Sequence, residues 1–233
     1  MTTEDGSSPV APTPRQGEDI RARWAWVEPS VWTERMLAAL ENGVKGGKWF
    51  SLCDKVWHPA NLQAAWQRVY ANRGGSGVDG QTVHAYEARW QRELECLHDL
   101  LQADRYVPQP VRRVWLPKPG SQEKRPLGIP AVRDRVVQTA LLQVIAPIFE
   151  RLFAPTSYGF RPGRGCKDAL RRVTTLLQCG YRWVVDADLK SYFDTIPHER
   201  LMALVEEHIA DGRVLALLRG YLRQGVMDGM KEW

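Results

Sequence analysis

Apolar residues recur at three- and four-residue spacing in three stretches between residues 30 and 101 of this chain, and the period changes at Val111. Residues 111–116 (Val-Arg-Arg-Val-Trp-Leu) are short, β-branched and aromatic, and Pro110 and Pro117 bound them, so they read as a strand. The turn segment Lys118-Pro119-Gly120-Ser121 leads to a second extended piece at 125–129. Together these form an expected hairpin that projects basic side chains. Helical and strand periods in one chain make the fold class α+β.

Before the hairpin, helices are expected at 30–41, 59–71 and 83–101. Asn42-Gly43 stops the first, and Pro59 suits the first position of the second. The third carries Tyr86, Trp90, Leu94, Leu97 and Leu101 on one stripe. A long helix at 133–153 follows the hairpin, bent or broken near Pro147. Next come a loop at 155–166, a helix at 167–179 ended by Gly180, a strand at 182–189, and helices at 198–209 and 213–223. Residues 1–22 are polar and rich in Ser, Thr, Pro and Gly, as expected of a disordered tail. Seven of the ten tryptophans precede residue 100 and are read mainly as packing within the helical part.

The net charge of +5 is unevenly spread. Residues 105–172 hold 14 Lys and Arg against 4 Asp and Glu, while both flanking parts are net acidic. Only Lys118, Lys124 and Lys167 of those cations are lysines. The planar guanidinium matches phosphate oxygens and stacks on bases, so this block points to a phosphate-bearing partner, with a solvated basic face as the alternative. No apolar run reaches the roughly 18 residues that a membrane helix needs, so no membrane partner is expected. The N-terminus lacks the basic start and apolar stretch of a signal peptide. Cys53, Cys96, Cys166 and Cys179 lie far apart with no CxxC pair, which suits reduced thiols in a cytoplasmic protein.

Three segments carry candidate chemistry. Asp186 and Asp188 sit two apart at the end of the expected strand 182–189, where an extended backbone places both on one face. A carboxylate on a rigid sheet suits metal-dependent phosphoryl transfer, although an Asx-turn cap uses the same residues. Lys118 and Arg125 flank the hairpin turn and are placed to hold a triphosphate, or else belong to an exposed basic hairpin. Ser157-Tyr158-Gly159-Phe160-Arg161-Pro162-Gly163-Arg164-Gly165 interleaves aromatics, arginines and glycines, a composition that suits stacking and backbone contact with nucleic acid. A structural loop with aromatic anchors is the alternative.

Trp115-Leu116-Pro117-Lys118-Pro119, Arg125-Pro126-Leu127-Gly128-Ile129-Pro130, Ser157 to Pro162 and Asp186-Ala187-Asp188-Leu189-Lys190 together resemble group II intron-encoded reverse transcriptases, the intron maturases. Gly75-Ser76-Gly77-Val78-Asp79-Gly80 resembles the N-terminal extension of that family. The resemblance implies a right-hand polymerase fold: a helical N-terminal extension over 23–104, then fingers and a partial palm over 105–233. It implies that Asp188 is the catalytic, metal-binding aspartate of the first palm motif and that the Leu189 carbonyl is a second metal contact. Phe193 matches the aromatic that stacks under the nucleotide sugar, Lys118 and Arg125 the grip on the incoming triphosphate. Arg112, Arg113, Arg161 and Arg164 are the expected RNA contacts, with Asp186 in support. Mg²⁺ is the implied cofactor of the complete polymerase. Intron or template RNA, a DNA primer and deoxynucleoside triphosphates are the implied partners.

The family continues with a Pro-Gln-Gly segment and a hairpin bearing Tyr-x-Asp-Asp, and neither occurs in these 233 residues. Two-metal catalysis needs carboxylates from both palm elements. The expectation is therefore an N-terminal portion of an RNA-directed DNA polymerase that is inactive alone. An RNA-binding module without synthesis, or a non-functional remnant, stands beside it.

Overall fold

The computed structural model describes residues 20–120, 122–189, 191–229 and the backbone of 231–232. Residues 1–19 of the expected tail, and Lys190, lie outside the described residues. Positions 20–22, assigned to that tail from sequence, instead open helix α1 (Ile20–Arg23).

Six helices build the extension. After α1 come α2 (Glu34–Asn42), α3 (Cys53–Val56), α4 (Pro59–Asn72), α5 (Val83–Glu87) and α6 (Trp90–Gln102). Thr33 and Thr82 start α2 and α5 by accepting the backbone N–H of Met36 and of Ala85. The single helix expected at 83–101 is broken, because Arg89 leaves helical geometry at φ −143° between α5 and α6. The break lets both pieces bury their stripes: Val83 and Tyr86 from one, Leu94, Leu97 and Leu101 from the other.

β1 (Val111–Pro117) and β2 (Lys124–Ile129) form the expected antiparallel hairpin, in register from Arg112 opposite Ile129 to Pro117 opposite Lys124. Helices α7 (Val132–Glu150), α8 (Cys166–Gln178), α9 (Tyr192–Thr195), α10 (His198–Glu206) and α11 (Gly212–Leu222) follow. The chain then returns to the sheet with β3 (Val226–Asp228), parallel to β1, and β4 (Lys231–Glu232), giving the order β2-β1-β3-β4. Nothing in the periodicity announced β3, which is too short for alternation to register.

The core gathers around α7, whose Val132, Val136, Val137, Ala140 and Val144 are wholly enclosed against α3, α4 and α6. Pro147 does not break α7, which runs through it as one helix. A proline has no N–H, so the carbonyl of Gln143 loses its helical donor. The indole N–H of the buried Trp32 donates to that carbonyl at 2.9 Å. One turn earlier, the side-chain amide of buried Asn61 donates to the Ala140 carbonyl at 3.1 Å, tying α4 to the same helix.

A second tie joins the extension to α11. Asp211 caps that helix by accepting from the N–H groups of Arg213 and Val214, and its other oxygen accepts from Leu52 and Cys53. Burial works against its charge, but these four N–H groups outweigh burial and hold the carboxyl below the usual range. Burial pushes the neighbouring Cys53 thiol up to about 12, which leaves it an inert packing group.

The expected strand at 182–189 is not formed. A strand needs a partner for its backbone hydrogen bonds, and no described strand lies beside this one. Trp183 and Val185 are 96% and 94% exposed. The adjoining α8 buries none of its residues, leaving Leu170, Val173 and Leu177 uncovered.

Trp32→Phe should cost about 1–3 kcal/mol in urea unfolding, since it strands a buried carbonyl. Restoring a helical donor with Pro147→Ala should shrink that cost; two costs that simply add would show that Trp32 matters only by its volume. Asp211 has a lowered folded-state pKa, so its stabilisation is present above the unfolded value near 4 and lost as pH falls through the folded one. Asp211→Asn should therefore flatten the acid limb of a pH–stability curve, and an unchanged limb would remove Asp211 from acid unfolding.

Candidate nucleic-acid interface

Directly opposed residues of an antiparallel pair share a face. The observed register therefore puts Arg112, Leu116 and Arg125 on one face of the hairpin and Arg113, Trp115 and Lys124 on the other. Lys118 continues the first face beyond β1, with its backbone N–H bonded to the Glu123 carbonyl. Its ammonium pairs with the Glu123 carboxylate at 2.6 Å and holds that carboxyl below the usual range. The pair is exposed, so solvent screens it. Arg125 has no ion pair among the described residues. On the opposite face, the Arg113 guanidinium lies 5.7 Å from the Trp115 ring centre and 3.9 Å from Asp228 of β3.

Two of the expected RNA contacts, Arg112 and Arg161, make hydrogen bonds within the fold. Arg112 donates through Nε to the Ser76 carbonyl at 2.9 Å, and Arg135 donates to the carbonyls of Arg73 and Gly75. These bonds fasten the glycine-rich turn of the extension to the hairpin and α7. Gly77 completes the joint, because a Cβ there would stand 2.4 Å from the Ala131 Cα. Arg161 is buried and turned inward. Its Nε and Nη2 reach the Glu150 carboxylate, and its Nη1 serves the carbonyls of Ala154 and Ser157. A guanidinium committed in this way holds the loop at 155–166 in shape and has no donors left for phosphate. Arg164 differs: it is half-buried, its guanidinium 5.8 Å from the Tyr158 ring centre and its Nη1 bonded to the carbonyls of Pro155 and Ser157. Phe160 beside it is wholly exposed at a positive φ of 54°.

Asp186, Asp188 and Leu189 lie on the exposed, non-strand segment before α9. Phe193 follows on α9, exposed and edge-on to Tyr192 at 5.4 Å. No hydrogen bond or ion pair among the described residues joins Asp188 to Lys118 or Arg125. Nor do three His, Cys, Asp or Glu side chains converge into a metal cage among them. Asp186 and Asp188 can offer carboxylate oxygens to a divalent ion but do not enclose one.

Sequence reasoning missed a buried cluster behind the hairpin. The Tyr106 hydroxyl donates to Asp134 at 2.6 Å and lies 2.8 Å from the Tyr221 hydroxyl, while the Gln109 N–H reaches the other Asp134 oxygen. Burial raises the Asp134 carboxyl above its usual range even with these donors. The only signal was an aspartate in the first turn of a helix, which is common and says nothing about burial.

The described structure thus combines a hairpin with basic residues on both faces, a glycine-locked joint to the preceding helices and an exposed aspartate segment ahead of a short helix. The reverse transcriptase (RNA-dependent DNA polymerase) family model matches residues 116–232, and the chain belongs to that family, in its group II intron-encoded branch. It is 38% identical over 213 residues to protein YkfC of Escherichia coli, covering 89% of this chain and 51% of that protein. It is 34% identical over 172 residues to the group II intron-encoded protein LtrA of Lactococcus lactis, covering 73% of this chain and 28% of LtrA. A solved chain from a partial Cas6-RT-Cas1–Cas2 complex aligns at a TM-score of 0.49 and 17% identity, over 76% of this chain and 28% of that one. The chain thus spans about half of the first relative's length and about a quarter of the second's. No helix among the described residues is long and apolar enough to cross a membrane.

Arg161→Ala should lower stability by about 3 kcal/mol, because Glu150 is left without its partner in a mostly enclosed site. Arg164→Ala should leave the melting temperature unchanged and weaken RNA binding. Equal effects of the two substitutions on RNA binding, with no loss of stability for Arg161→Ala, would reverse the assignment.

Proposed function

We propose that this chain supplies the extension, fingers and first palm motif of an RNA-directed DNA polymerase that works on group II intron RNA in the cytoplasm. The observation that carries the reading is the hairpin register, which puts Lys118 and Arg125 on one face of a rigid two-stranded arm. In this proposal those two cations hold the triphosphate of an incoming deoxynucleotide. Asp188 and the Leu189 carbonyl contribute to a Mg²⁺ site, and Phe193 lies against the sugar. Arg113 and Arg164 contact the RNA strand that templates a DNA primer. The divisions 23–104 and 105–233 are the extension and the fingers with partial palm.

Asp188 and the Leu189 carbonyl would hold a divalent ion, which would supply Lewis-acid polarisation of the phosphoryl group when bound. This chain's own residues bind, orient and neutralise charge around it. A second reading, an RNA-binding module that does not synthesise, is favoured by the open carboxylate segment, which encloses no ion among the described residues. Both readings predict RNA affinity that falls steeply with salt as counterions are released.

The separating experiment uses a polypeptide in which this sequence is joined to the Tyr-x-Asp-Asp hairpin of a relative, assayed on a primed RNA template. Asp188→Ala should then reduce Mg²⁺-dependent DNA synthesis on the order of 10³-fold, about 4 kcal/mol of transition-state stabilisation. Asp186→Ala should cost much less. Retained synthesis without Asp188 would refute the catalytic assignment, and RNA binding with no synthesis in any joined form would favour the binding module.

A further inference from the structure

A cleft of about 260 Å³ lies between the start of α4 and α6, outside the hairpin and the aspartate segment. Buried Leu62 and Leu94 and half-buried Trp90 make up much of its apolar lining. Trp90 opens α6 directly after the break at Arg89, so the cleft is a product of the same interruption that splits the helix expected at 83–101. Glu95, His98 and Asp99 supply its titratable groups, and neither a lysine nor an arginine lines it.

The His98 ring is fixed by a 2.9 Å hydrogen bond between Nδ1 and the Trp57 carbonyl. A carbonyl can only accept, so Nδ1 carries the proton and Nε2 of the neutral ring is left as an acceptor. Glu93, on the same helix, is paired with Arg89 at 2.8 Å, and Glu87 with His84 at 3.4 Å. Glu95 and Asp99 are exposed, and their carboxylates make no hydrogen bond or ion pair among the described residues. Residues four apart on a helix are neighbours, and like charges there destabilise it. No described cation offsets that repulsion. Three kinds of group thus converge on one cleft: an aromatic face, an oriented imidazole acceptor and two uncompensated carboxylates one helical turn apart.

We infer that this cleft binds a small linear diamine. One ammonium donates to the Glu95 carboxylate and the other to Asp99 and to Nε2 of His98, while the methylenes between them lie on Leu94 and the Trp90 ring. A four-carbon diamine, extended, spans about one helical turn, which matches the spacing of the two carboxylates. An alkyl ammonium also gains from the face of a tryptophan. The volume falls below the roughly 300–1,000 Å³ of pockets for larger ligands, which points to a slender occupant. Glu95, His98 and Asp99 do not form a metal cage, and two bare carboxylates repel phosphate. The site uses no residue of the hairpin or the aspartate segment, so it stands or falls apart from the polymerase reading.

The test is isothermal titration of the full chain with putrescine at about 20 mM salt, where exposed charges are weakly screened. One site should appear. Butylamine, with a single ammonium, should bind about 10-fold more weakly, and butanediol should not bind. Glu95→Gln with Asp99→Asn should weaken putrescine by about 10-fold or more. Glu199→Gln with Glu207→Gln, two exposed carboxylates at α10, should leave binding unchanged. All four side chains are exposed, so unchanged melting curves will show that the variants fold. Equal losses in the two double variants would mean diffuse charge attraction and would overturn the site. Butanediol binding as tightly as putrescine, or no putrescine binding below about 10 mM, would also overturn it. Tighter binding of acetyl-lysine amide than of putrescine would make the occupant a protein's lysine side chain and refute the diamine assignment.

Discussion

The carbonyl of Gln143 has no helical N–H to accept from, because position 147 is a proline, and the indole of Trp32 supplies that donor from the far side of the core. Much of the structure hangs from this bond. It is buried, so neither group can fall back on water, and an unpaired carbonyl there would cost a large fraction of a small domain's stability. Through it α7 becomes the axle of the fold: Trp32 grips one turn and Asn61 the turn before. The tryptophan-rich extension is thereby a structural part of the fingers. Trp49 packs edge-on against the same Trp32 ring at 5.4 Å.

The basic hairpin depends on that axle at one remove. β1 and β2 extend outward with most of β2 exposed, and an isolated hairpin is marginal in water. Its base is held by Gly77 pressed on Ala131, by Arg112 on Ser76 and by Arg135 on Gly75. Behind it, Tyr106, Asp134 and Tyr221 join the segment before β1 to α7 and α11. Two of the basic block's arginines are thus spent on backbone carbonyls, and Arg161 is spent on Glu150. The charge excess that marks this third of the chain divides into internal clamps and an exposed set, Lys124 and Arg125 among them.

The aspartate segment has the opposite character. The fingers and extension close on themselves, whereas α8 and residues 181–189 present Leu170, Val173, Trp183, Val184 and Val185 to solvent. An apolar patch of this kind marks a surface meant for contact. Relatives extend well beyond the part that aligns with this chain. Asp188 sits on that open surface, which is why its geometry is loose while the hairpin's is tight.

Sequence alone determined the elements with strong local signals. The helices with apolar stripes, the proline-bounded hairpin and the glycine-rich turn were legible because period and turn chemistry are local properties, and the ordered motifs identified the polymerase family. Tertiary structure decided what local pattern does not encode. Helix α7 runs through Pro147 only because a residue 111 positions away in sequence replaces the lost donor. Residues 182–189 stay irregular because a strand's hydrogen bonds belong to its neighbour as much as to itself. Whether an arginine meets a glutamate or loop carbonyls depends on which way the fold turns it: Arg161 and Arg164, three residues apart in one loop, differ for that reason, the first paired with Glu150 and the second lying against Tyr158.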